Sequence, residues 1–174
     1  KYFVAILIGL PTWYCIGILA MMVNQFAAEM GITTIVPGKA IMWGYVGISV
    51  GDFASGFISH ALHSRKKAIL YMMLFTIVGV VWMLFGGANS ENSYYFFCAW
   101  LGLGTGYWAM FVTVAAEQFG TNIRSTAANT IPNFVRGSVN IVVFLFGLFI
   151  GMGINDGVSA SVVGIIFIGL ALYS

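Results

Sequence analysis

Two charges in this 174-residue chain, Asp52 and Arg136, lie inside long apolar runs. On insertion scales such a charge costs at least about 2.5 to 3.5 kcal/mol at the centre of a bilayer, so each calls for a protein interior or a watery cavity. Asn129, Asn133, Arg136 and Asn140 recur at helical spacing and share one face. A polar stripe that long should face water or ligand, and a planar guanidinium fork among amides suits a bidentate carboxylate. Arg136, Asn133, Asn129 and Asn140 are therefore the candidate substrate-binding residues. A competing reading pairs Arg136 with Asp52 or with a carboxylate outside this chain. Asp52 shares a softer stripe with Tyr45, Ser49, Ser55, Gly56 and Ser59. It is the candidate proton-coupling carboxylate, against a structural role bonded to helix neighbours.

Other chemistries fit less well. Gly47-Ile-Ser49-Val-Gly51 matches the G-x-S-x-G nucleophile pattern, and His60 or His63 would have to serve as base. Ser49 and His60 are about 16 Å apart along one helix at 1.5 Å per residue, too far for a nucleophile–base hydrogen bond. Gly47, Gly51, Ser55 and Ser59 read instead as a small-residue ladder for close helix packing. Gly102, Gly104 and Gly106 lack dinucleotide-loop spacing and follow no strand, so they read as close packing or cavity-facing backbone. His60 and His63 read as interfacial histidines rather than metal ligands. Cys15 and Cys98 sit in apolar runs without metal-like spacing and read as small packing residues. The expectation is no catalytic residue, no metal and no cofactor.

The elements that position these residues follow from composition. The chain is 60% hydrophobic and 7% charged, against about 25% charged in soluble domains. A water-soluble domain, a disordered chain and a nucleic-acid module are excluded, and the lipid bilayer is the solvent. A net charge of +2 says nothing about partners. With about 20 apolar residues needed per crossing, six helices fit. They are expected at 2–25, 40–62, 68–85, 94–116, 126–151 and 158–173, and none alternates as a β-barrel strand would. The first run continues through Met22 without a small-x-small cleavage site, so it reads as a span rather than a signal peptide. Pro11 and Pro132 fall inside spans, where proline frees carbonyls and bends helices. Trp100, Tyr107 and Trp108 either wall a cavity or pack.

Lys/Arg placement sets the orientation. Lys1, Arg65, Lys66, Lys67 and Arg124 fall on the side of the termini, against Lys39 on the other. Both termini are thus expected to be cytoplasmic. Asp52 and Arg136 each lie about ten residues from the cytoplasmic ends of their spans, or about 15 Å deep. Polar residues mark the first two spans of each three while the third and sixth are plain, the pattern of two inverted three-helix repeats. The third and sixth spans then read as lipid-facing supports.

Two segments carry a resemblance. Gly56 to Lys67 resembles the G-x-x-x-D-R-x-G-x-R/K-R/K loop of the major facilitator superfamily. Gly56, Arg65 and Lys66 match in register, while His60 replaces the acid, Ala61 the first base and His63 the second glycine. Glu117-Gln-Phe-Gly-Thr-Asn-Ile-Arg124-Ser-Thr126 is similar to the E-x-F/Y-P-T-x-x-R-x-T segment between helices ten and eleven of its sugar-porter and organic-ion branches, with Gly120 at the usual proline. The resemblance implies that Gly56, Arg65, Lys66, Glu117 and Arg124 form a cytoplasmic gate. It places Arg136 where organic-anion transporters carry a substrate-facing arginine.

The expectation is an all-α polytopic membrane domain, residues 1–174, resembling the C-terminal six-helix half of a twelve-helix transporter. Its partners would be the lipid bilayer, a small and candidate anionic solute, and an N-terminal six-helix half or a second copy. The implied function is secondary transport by alternating access, as a symporter of the plasma (inner) membrane. The alternatives are an intramembrane hydrolase using Ser49 and a membrane sensor or structural domain that does not transport.

Overall fold

The computed structural model describes residues 2–29, 31–32 and 34–174, with the side chains of Ala27 and Glu29 left out of the description. Lys1, counted above on the cytoplasmic side, lies outside the described residues. Six helices are long and apolar enough to cross a membrane: Tyr2–Ala20, Pro37–Ala61, Arg65–Gly87, Glu91–Glu117, Thr121–Gly151 and Asp156–Tyr173, here the first to sixth spans. No strand occurs among the described residues.

Local chemistry sets the helix ends. Pro37 opens the second span from its first turn, where a missing N–H costs nothing. Ser64 caps the third span by accepting from the Lys67 amide, and Ser90 and Ser93 form a reciprocal capping box at the fourth. The Asn155 side chain accepts from the Gly157 amide at the start of the sixth.

Several boundaries differ from the expected ones: the second and fourth spans each start three residues early, at Pro37 and Glu91, and three other shifts move charged or polar residues. The first span ends at Ala20, and Val23–Glu29 forms a separate short helix beyond a turn. Arg65, Lys66 and Lys67 form the first turn of the third span rather than a loop. The fifth span begins at Thr121, so the expected 117–125 connection shrinks to residues 118–120. Polar residues at these ends can stay helical because a span emerging into water keeps its intrahelical hydrogen bonds.

The spans alternate in direction, and contacts at both ends fix this. At one end Arg65 meets Glu117, and the Tyr2 hydroxyl donates to Thr130 while its ring stands edge-on to Phe119. At the other end Thr34 donates to Glu91 at 3.2 Å, and the Val36 amide donates to the Tyr95 hydroxyl at 3.0 Å. Both termini and the second and fourth connections therefore share one end.

The first and fourth spans form the centre. Buried tyrosines tie them together: Tyr94 donates to the Leu19 carbonyl at 2.6 Å and Tyr107 to the Ile8 carbonyl at 2.9 Å. Tyr14 links the first span to the sixth through the Ala160 carbonyl at 2.8 Å. The second span packs most intimately on the fourth, and the fifth packs along the first. The third lies on the fourth and the sixth on the first. The second and fifth spans are the least buried of the six.

The small-residue ladder has an identified partner. A Cβ at Gly47 would run into the Ala99 carbonyl, one at Gly51 into the Leu103 carbonyl, and one at Gly102 into the Gly44 carbonyl. The two glycine runs thus face each other, and backbone meets backbone where the second and fourth spans cross. Cys15 and Cys98 are both buried free thiols at the inner edge of this crossing.

Both central spans are interrupted. The first carries Pro11 and then a π-helical stretch, Cys15–Ala20. The fourth breaks at Gly106 and Tyr107 into Glu91–Thr105 and Trp108–Glu117. At that break Gly106 lies against the backbone of Gly51.

Candidate functional site

The break in the fourth span leaves backbone amides at the start of its second half without helical partners, as any helix N-terminus does. Asp52 answers one of them: the Ala109 amide donates to its Oδ1 at 3.0 Å. A carboxylate at a helix N-terminus is favoured by both the hydrogen bond and the helix dipole. Asp52 is half-buried, and Ser55 beside it is fully buried, donating to the Asp52 carbonyl at 2.8 Å. The expected polar stripe of the second span is thus partly spent on local bonds. Ser49 likewise donates to the Tyr45 carbonyl at 3.0 Å, so its proton engages a helix carbonyl rather than a histidine.

Arg136 stands fifteen residues from either end of the fifth span. Its depth from the end near the termini is about 22 Å at 1.5 Å per residue, deeper than the expected 15 Å because the helix starts five residues earlier. The guanidinium makes no hydrogen bond or ion pair among the described residues, and no ion pair joins it to Asp52. Its Cζ lies 5.7 Å from the centroid of the Trp13 ring, within cation–π range. Trp13 stands edge-to-face with Trp108 at 6.2 Å, and Trp108 immediately precedes the Ala109 that Asp52 caps. The first, second, fourth and fifth spans therefore each contribute to one connected set, Trp13, Asp52, Trp108 and Arg136.

Asn129, Asn133 and Asn140 are exposed on the same face as Arg136. Asn129 and Asn133 donate back to the carbonyls of Ser125 and Asn129, at 3.0 and 2.8 Å. These bonds each spend one amide hydrogen on the helix backbone. The Trp13 indole N–H is buried without a hydrogen-bond partner among the described residues. With the unpaired guanidinium, the centre of the molecule is rich in donors.

Of the three aromatics named in the fourth span, Trp108 joins this set while the others pack. Tyr107 is fully buried, and Trp100 stacks on Phe75 at 4.6 Å and donates to the Phe75 carbonyl. Trp13 was not legible as a site residue, because an indole inside an apolar run reads as packing and its partner Arg136 is far away in sequence.

At the end near the termini, Arg65 Nη1 lies 2.7 Å from both carboxylate oxygens of Glu117, with both side chains about half exposed. Lys66 and Arg124 make no hydrogen bond or ion pair among the described residues, so only two of the four expected gate charges meet. Gly56 is exposed, with nothing within 4 Å of where a Cβ would project. His63, where the loop motif carries its second glycine, adopts φ +50°, the left-handed turn that glycine favours. Comparison of the chain with protein families, with curated proteins and with solved structures finds no match.

Proposed function

We propose that this chain is a transporter domain whose substrate site is centred on Arg136, and that the solute carries an anionic group. The observation that carries the reading is an unpaired guanidinium at mid-span, over Trp13, on a face of exposed asparagines. Leaving such a charge without a partner in a membrane protein is costly unless water or a ligand meets it. A carboxylate would accept from the guanidinium fork and replace the missing counter-charge.

The packing order supports an inverted-repeat architecture. Exchanging the first span with the fourth, the second with the fifth and the third with the sixth turns each principal packing pair into another such pair. The interruptions in the first and fourth spans occupy corresponding places under that exchange, and such paired breaks are a pointer to a transporter's binding site. The left-handed turn at His63 and the Arg65–Glu117 pair support the resemblance to the major facilitator superfamily. On this reading the poorly buried second and fifth spans face a second six-helix half or a second copy across the solute pathway. The basic-residue asymmetry supports cytoplasmic termini.

Asp52 fits a coupling role through its cap on Ala109. Protonation would weaken that bond at the break in the fourth span and loosen the two half-helices.

A counterflow assay in proteoliposomes tests the proposal. Vesicles preloaded with a panel of carboxylates, neutral solutes and amines are expected to exchange at least one carboxylate. Folded protein that exchanges none of them would favour the sensor or structural alternative.

A further inference from the structure

A cleft of about 570 Å³ opens where the first, third, fourth and sixth spans meet at the end near the termini. Its walls are mostly apolar, among them Ile69, Leu70 and Met73 of the third span and Leu172 of the sixth, while Lys66, Glu117, Gln118 and Ser174 make its polar mouth. A second cleft of about 320 Å³ shares Leu172 and continues between the third and sixth spans as far as Phe85. Its lining is almost wholly apolar, and Gly169 keeps its floor low. From Lys66 to Phe85 the seam follows the third span for about 28 Å at 1.5 Å per residue. One leaflet is about half of the roughly 30 Å hydrocarbon layer, so an acyl chain entering at Lys66 fills the half of the seam that holds Leu172 and Gly169.

We propose that this seam is a binding site for one anionic phospholipid, with the headgroup phosphate on Lys66 and an acyl chain laid between the third and sixth spans. The charge balance at the mouth selects the headgroup. Glu117 also lines it, but Arg65 holds both oxygens of that carboxylate at 2.7 Å. Among the side chains that line the mouth, the excess charge is therefore the ammonium of Lys66, which has no partner among the described residues. A concave apolar channel leading from a free ammonium matches a lipid's two chemistries in order, tail along the seam and phosphate at its mouth. The site is separate from Arg136, which lies on the opposite, fifth-span side of the central helices, and it does not depend on the transport reading.

Native mass spectrometry of the delipidated protein, with phosphatidylglycerol and phosphatidylcholine added in turn, tests the site. The unmodified protein is expected to retain one phosphatidylglycerol several-fold more strongly than phosphatidylcholine. Lys66→Gln is expected to bring the two lipids close to parity. Lys67→Gln, the same charge change outside the cleft lining, is expected to leave the preference intact. Gly169→Leu fills the seam where no atom lies within 4 Å of the new Cβ, and is expected to abolish retention of both lipids without lowering the melting temperature. Equal retention of the two lipids by the unmodified protein would overturn the proposal. So would a preference that survives Lys66→Gln, undiminished retention by Gly169→Leu, or a stable dimer that lipid does not dissociate and Gly169→Leu does.

Discussion

Arg65 and Glu117, fifty-two residues apart, meet through a single guanidinium nitrogen 2.7 Å from each carboxylate oxygen, tying the start of the third span to the end of the fourth. Both side chains are about half exposed, so the pair contributes no more than about 1 kcal/mol to stability. Its larger consequence is conformational, since it joins two elements that must separate if this end opens. Glu117→Gln is expected to leave the melting temperature within a few degrees while raising the reactivity of a cysteine at Gln118 toward a hydrophilic maleimide. The exchanged pair Arg65→Glu with Glu117→Arg should restore the lower reactivity. Equal labelling in all three proteins would reduce the pair to topological anchoring.

The basic residues at this same end make an orientation prediction, with the termini cytoplasmic. A cysteine at Ser64 is expected to resist an impermeant reagent applied to intact cells, and one at Asn89 to react. The reverse pattern would place the termini outside and move the Arg65–Glu117 pair to the external face.

The crossing of the second and fourth spans makes a stability prediction. A side chain at Gly51 would meet the Leu103 carbonyl and the Gly106 backbone, and neither can swing aside as a side-chain tip can. Gly51→Val is expected to cost at or above the upper end of the about 1 to 3 kcal/mol typical of overpacking. Gly147→Ala, with open space around its Cβ, should be near neutral. Thermal unfolding in detergent compares them, and similar midpoints would mean the two helices sit farther apart.

The same crossing marks what the sequence could and could not disclose. Six spans were legible because each is a long apolar run, and hydropathy does not depend on what the helix packs against. The glycines of the second span were legible as packing residues, and Gly102, Gly104 and Gly106 as either close packing or cavity-facing backbone. That Gly47 and Gly51 face the 99–106 stretch was not, because pairing across fifty residues leaves no periodic trace. The stripe of Asn129, Asn133, Arg136 and Asn140 was legible because polar residues stand out from apolar ones. Trp13 was hidden because an indole inside an apolar span reads as a packing residue, and its contact with Arg136 joins residues more than a hundred positions apart. Asp52 was visible as a buried charge, but its bond to Ala109 depends on a helix break at Gly106 that composition alone does not locate.

That bond separates two roles for Asp52. Asparagine keeps an oxygen able to accept from Ala109, so Asp52→Asn should fold normally, whereas Asp52→Ala loses the cap at a cost of about 0.5 to 2 kcal/mol. If the carboxylate couples protons, Asp52→Asn retains solute exchange but loses accumulation driven by a proton gradient. Undiminished accumulation in Asp52→Asn would leave Asp52 as a structural cap.

Arg136 carries the sharpest prediction. Its guanidinium has a ring on one side and no acceptor among the described residues, so a bound carboxylate would supply two charge-assisted hydrogen bonds, each worth more than a neutral one. Arg136→Ala is expected to weaken binding of carboxylate solutes by ten-fold or more while leaving the melting temperature nearly unchanged, because no ion pair within the chain is broken. Arg136→Lys keeps the charge but loses the fork and much of the stacking on Trp13, so it should fall between the two. Trp13→Leu removes the ring under the guanidinium and should weaken the same solutes more modestly, since cation–π contacts contribute roughly 0.5 to 2 kcal/mol. Isothermal titration across carboxylates, neutral solutes and amines measures all three. If Arg136→Ala binds carboxylates as tightly as the unmodified protein, the guanidinium has another partner, and the anionic assignment of the solute falls with it.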